Sequence, residues 1–72
     1  MRREYKIGKT EVGYVHHGGT KGATPYWYPY AKRDIGNVRI ESHFWNDGFP
    51  ETEEIAKQMC KEMAQALNSI KV

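Results

Sequence analysis

Pro25-Tyr26-Trp27-Tyr28-Pro29-Tyr30 places four aromatic rings and two prolines in six consecutive residues. Along an extended chain, Tyr26, Tyr28 and Tyr30 fall on one face and Trp27, Pro29 and Ala31 on the other. Rings are costly to expose and useful in binding, so one set is expected in the core and the other at or near the surface. Proline lacks the N–H that a sheet ladder needs, so Pro29 argues that this strand lies at a sheet edge.

The clearest helix signal lies near the C-terminus. Ile55, Met59, Met63, Ala66, Leu67 and Ile70 fall within about 120° of arc at helical spacing, with Ala56 and Cys60 flanking the stripe. Lys57, Gln58, Lys61, Gln65 and Asn68 take the opposite side. Thr52 is suited to cap an orphan N–H, and Glu53 and Glu54 complement the positive end of the helix dipole. A helix is predicted over 52–70.

Upstream the pattern is β-structure punctuated by glycine. Val38, Ile40, Ser42 and Phe44 alternate with Arg39, Glu41, His43 and Trp45, and Asn46-Asp47-Gly48 reads as a turn. Asp34-Ile35-Gly36-Asn37 is a hairpin turn joining this strand to the aromatic one. An earlier strand is read over 5–16, interrupted by a bulge at Gly8 or Gly13. The predicted fold is therefore α+β, a single domain over 1–72. Its three-stranded antiparallel sheet (strands 5–16, 26–33 and 38–45) carries one C-terminal amphipathic helix on one face. Strand 38–45 is expected at the centre, with Val38, Ile40 and Phe44 under the helix.

The size and charge of the chain narrow the function. At 72 residues the chain buries only about 60% of its unfolded surface, which leaves little material for a deep pocket. The net charge of +2 conceals an asymmetry: residues 1–39 carry eight basic and three acidic side chains, residues 40–72 three basic and six acidic. Such a split favours a face for polyanions. A lone Cys60 allows no internal disulfide, the charged start Arg2-Arg3-Glu4 is no signal peptide, and no run of about 18 apolar residues suggests a membrane span. A cytoplasmic protein without membrane attachment is expected.

Catalytic and metal chemistry find little purchase. His16 and His17 are adjacent on a strand and point to opposite faces, and no zinc-ligand spacing links them to His43 or Cys60. Cys60 sits beside an apolar helical stripe, where a thiol behaves as a small hydrophobe rather than a nucleophile. Gly18-Gly19-Thr20-Lys21-Gly22 resembles a phosphate-binding loop in composition but lacks its spacing and following helix. No enzyme activity, cofactor or metal is expected.

The sheet is the candidate surface. Rings interleaved with Arg and Lys suit bases and phosphates, and equally suit protein interfaces. The predicted contacts are Tyr28, Tyr30, Lys32, Arg33 and Arg39, with Lys21 as an outlying backbone contact. Three strands followed by a helix is similar in layout to several DNA-binding domains, including some integrase N-terminal domains. The expectation is a non-enzymatic binding module for nucleic acid or a nucleoprotein. The alternative is a protein-binding modulator or inhibitor of the phage or mobile-element kind. A homodimer through the open sheet face is a third possibility.

Overall fold

A computed structural model of the chain describes residues 2–18, 25–43 and 49–71. Four strands precede one helix: β1 Arg2–Ile7, β2 Thr10–His17, β3 Tyr26–Ile35, β4 Val38–His43 and α1 Glu53–Asn68. The strands form one antiparallel sheet in the order β1-β2-β3-β4. The α+β class and the covering helix are as expected from the sequence; the strand count is four rather than three.

The extra strand comes from Gly8. Ile7 pairs with Thr10 and Ile35 with Val38, so Gly8-Lys9 and Gly36-Asn37 are both two-residue hairpin loops. Gly8 has φ +61° and Gly36 φ +60°, while no other described residue type adopts positive φ. Glycine first, followed by a residue with negative φ, is the turn whose twist matches that of paired strands. Gly8 therefore reverses the chain instead of bulging it, and the predicted strand 5–16 becomes β1 and β2.

The expected strand order is also corrected. β3 is interior, paired with β2 on one side and β4 on the other, and β4 is an edge. Pro29 is accommodated by position. The Trp27 N–H donates to the Pro50 carbonyl (2.9 Å), on the side away from β2. The Pro29 nitrogen, two residues on, faces the same way. The described β3–β4 ladder stops one residue short of it, at Tyr30↔His43. The absent donor thus falls outside the described ladder on an otherwise central strand. Residues 44 and 45, Phe44 as a core partner and the Asn46-Asp47-Gly48 turn lie outside the described residues.

The helix begins as expected: the Thr52 hydroxyl accepts from the Ile55 N–H (3.2 Å), and Glu53 and Glu54 occupy the first turn. Its buried face is rotated from the predicted stripe. Ala56, Cys60, Met63, Ala64 and Leu67 are buried, whereas Ile55 is 48% exposed and Ala66 is exposed. Small residues at 56, 60 and 64 let the helix backbone lie close to the sheet, where the Cys60 Sγ reaches the Gly13 carbonyl at 3.2 Å. The sheet supplies the bulk. Tyr14 is fully buried and meets Trp27 edge-on, with ring centroids 5.4 Å apart. Large rings below and small side chains above fill one layer, and each Leu- or Met-sized side chain buried there contributes roughly 1.5–3 kcal/mol.

α1 lies along β2 and β3 and touches β4 only lightly. Val38, expected beneath the helix, is 62% exposed. Two polar clamps fix the helix C-terminus to the sheet. Asn68 accepts from the Lys9 N–H (3.2 Å) and the Thr10 hydroxyl (2.7 Å) and donates to the Ile7 carbonyl (2.9 Å). Arg33, the second clamp, donates from one terminal nitrogen to the carbonyls of Leu67 (2.6 Å) and Ile70 (2.9 Å).

Candidate functional site: the open face of the sheet

The helix covers one face of the sheet. Alternation then fixes the other: Tyr26, Tyr28, Tyr30 and Lys32 from β3 point away from α1, while Trp27, Pro29, Ala31 and Arg33 point toward it. Trp27 joins Tyr14 and lies 4.5 Å from His16 between ring centroids, so the tryptophan belongs to the core side. The tyrosines are the outward set. Their exposure is intermediate, because they pack on one another's neighbours along the face.

The register arranges this face in rows across the strands. Toward the Gly8 and Gly36 turns, Lys6 pairs with Glu11, Glu11 with Lys32, and Lys32 with Glu41. One row of alternating charge thus crosses all four strands. Beyond it, Asp34 holds Arg39 through two bonds of 2.8 and 3.2 Å. The guanidinium keeps the Asp34 carboxyl below its ordinary range, chiefly by hydrogen bonding. Lys32 lies 3.9 Å from Glu11, and Arg2 3.8 Å from Glu4.

The next row holds Glu4, Gly13, Tyr30 and His43. A Cβ built on Gly13 would lie 2.4 Å from the Tyr30 hydroxyl and 2.6 Å from the ring carbon that bears it. The Tyr30 ring therefore lies flat across β2, in space that only a glycine leaves open. Burial, and then the Glu4 carboxylate, raise the Tyr30 hydroxyl above its ordinary pKa. Lys32 stands over the same ring, 5.9 Å from its centroid.

Toward the far end the face becomes aromatic. His17 stacks on Tyr26 (5.0 Å between centroids), and Tyr26 stacks on Phe49 (4.6 Å). Phe49 also meets Tyr28 at 5.4 Å, and the Tyr28 hydroxyl lies 2.9 Å from His43 Nδ1. Sequence reasoning missed Phe49 and Gly13. Phe49 follows a turn signal and belongs to no alternating run, and the role of Gly13 becomes visible only once Tyr30 is its cross-strand partner.

Of the predicted contacts, Tyr28, Tyr30, Lys32 and Arg39 share the open face. Arg33 does not. It turns to the helix side, is 7% exposed and is engaged at the helix C-terminus. The carbonyls left over at a helix end attract a cation, and α1 has no basic residue in its own last turn. Lys21 lies outside the described residues. Among the described residues of this face the expected basic excess is not seen: Arg2, Lys6, Lys32 and Arg39 are balanced by Glu4, Glu11, Asp34 and Glu41.

The chemically reactive groups lie elsewhere. Cys60 is fully buried, and burial pushes its thiol above the ordinary range against the opposing effect of two backbone carbonyl contacts. Among the described residues no cluster of three or more His, Cys, Asp or Glu could hold a metal ion. No helix among them is long and apolar enough to cross a membrane. The chain matches no protein-family model, no curated protein and no solved structure.

Proposed function

We propose that this protein is a small non-enzymatic binding module that docks on a protein surface of mixed charge through the open face of its sheet. The observation that carries this reading is the balance of charge on a face rich in tyrosine. A nucleic-acid surface draws its affinity from uncompensated Lys and Arg meeting phosphates. Here each cation has an acid beside it or opposite it in the ladder. Half-buried tyrosines among paired charges match the anatomy of protein interfaces, where Tyr and Arg dominate the binding energy.

Two measurements test the reading. The immobilised protein is used to capture partners from nuclease-treated lysate of its source cells, in parallel with Val15→Arg, which places a bulky cation on the open face. Labelled DNA and RNA are titrated at two salt concentrations. The expected result is a nuclease-resistant partner lost in Val15→Arg, with no oligonucleotide binding. Salt-dependent binding of DNA or RNA, or capture indifferent to Val15→Arg, would overturn it.

A further inference from the structure

The alternating row singles out one partner. Resting on the reading above, we infer that the open face is self-complementary, and that the surface it fits is the open face of a second copy of this chain. Consider a two-fold axis parallel to the strands, lying between two sheets packed face to face. It sets β1 over the partner's β4 and β2 over the partner's β3, without shifting anything along the strands. The row Lys6, Glu11, Lys32, Glu41 then meets itself reversed. Lys6 faces the acid at position 41 of the second copy, and Glu11 faces the lysine at position 32. All four contacts are attractive.

The same operation aligns the remaining rows with themselves. Val15, beside Tyr28 in the ladder, comes to lie against the tyrosine-bearing strand of the other copy. The Tyr30 ring, flat over Gly13, keeps the middle of the face level enough for two sheets to approach. A two-fold axis across the strands would instead lay the charged row on the aromatic end, so its charges would lose water without gaining opposite charges from the second copy. The pattern therefore selects one symmetry. It also sets the tyrosines of β3 and Val15 of β2 toward the middle, with charges at the turn end and along the β1 edge.

The area sets the size class of the contact. Four strands spaced about 4.8 Å apart, with roughly eight paired residues each rising about 3.4 Å, present a face of about 500 Å². Two such faces bury on the order of 1,000 Å², at the lower bound for a specific interface and in the size range of weak, transient associations.

Lys6 and Glu41 provide the test, because they lie on opposite edges of one sheet and cannot touch within a chain. Sedimentation equilibrium is measured from micromolar to millimolar protein for the wild type, Lys6→Glu, Glu41→Lys, and an equimolar mixture of the two variants. Circular dichroism verifies that each variant is folded. Each substitution turns two symmetry-related attractions into repulsions and is expected to raise the dimer dissociation constant at least about tenfold. The mixture restores opposite charges at both contacts, so a heterodimer as tight as the wild type is expected. Effects confined to one chain would give no rescue on mixing, and that result overturns the proposal. A strictly monomeric wild type also overturns it. If capture sensitive to Val15→Arg persists in that case, the binding face stands and only the second copy is excluded; if that capture is absent too, both readings fall.

Discussion

Replacing Arg33 with methionine removes the charge that holds the end of α1 while leaving a side chain of similar length in the same space. Two opposing effects set the magnitude. The guanidinium donates to the carbonyls of Leu67 at 2.6 Å and Ile70 at 2.9 Å. Hydrogen bonds to a charged group are worth about 1.5–3 kcal/mol each, and a cation at a helix C-terminus adds roughly 0.3–1 kcal/mol. Against this, Arg33 is 7% exposed and its Nε has no hydrogen-bond partner among the described residues. An unsatisfied buried donor costs about 1–3 kcal/mol, a cost that methionine does not carry. The bonds outweigh the orphan, and Arg33→Met is expected to destabilise the fold by about 2 kcal/mol. For a domain of this size that is a fall in Tm of roughly 8–16 °C. Urea and thermal unfolding followed by far-UV circular dichroism measure both quantities, with Arg33→Lys expected between the two because an ammonium lacks the planar fork. An Arg33→Met protein within about 0.5 kcal/mol of wild type would refute the reasoning, since desolvation would then cancel the clamp.

Three further outcomes are expected. Gly13→Ala should cost about 2–3 kcal/mol in urea unfolding, because the new methyl meets the Tyr30 hydroxyl at 2.4 Å, its ring at 2.6 Å and the Arg3 carbonyl at 2.8 Å. Combined with Tyr30→Ala it should cost less than the sum of the two single changes; strict additivity would mean the ring does not lie over Gly13. Cys60, fully buried, should react with iodoacetamide only as fast as the protein opens, so rapid alkylation of the native state would contradict its placement. Tyr14 is pushed up from 10.0 to about 12 by burial first and then by its bond to Glu53. The folded state therefore holds that proton more tightly than the unfolded chain, so this contribution to stability is complete below about pH 10 and is lost as pH rises toward 12. Tyrosinate absorbance and circular dichroism recorded together across that window check it, and ionisation of every tyrosine near pH 10 in folded protein would count against it.

Local signals proved the dependable part of the sequence. Thr52 and Glu53 mark the helix start because capping is a matter of a few adjacent residues, and the alternation through Tyr26–Arg33 does identify a strand. What escaped sequence reasoning was decided at long range. Gly8 fits a bulge or a turn equally well until Asn68, fifty-nine positions from Lys9, closes on the loop. Arg33 looks like a solvent-facing cation until the end of α1 arrives above it. Pro29 suggested an edge because proline forbids one hydrogen bond, but that prohibition concerns one nitrogen on one side of the strand, not the whole strand. The tyrosine face was visible as a pattern, whereas its charge balance depends on which acids the register brings beside Lys32 and Arg39.

The order of elements has a consequence for how the chain comes into being. All strand pairings join segments adjacent in sequence, so the described sheet can be complete once His43 is available. The helix that covers Val12, Tyr14 and Ala31 follows, and its ties to Gly13 and Lys9 span 47 and 59 positions. Hairpins close in about microseconds, whereas synthesis proceeds at roughly 5–20 residues per second. A nascent chain therefore passes on the order of a second or more with its strands made and its apolar face bare. Hazard from aggregation is concentrated in that interval, and it is governed by the speed of translation through α1 rather than by the stability of the finished protein.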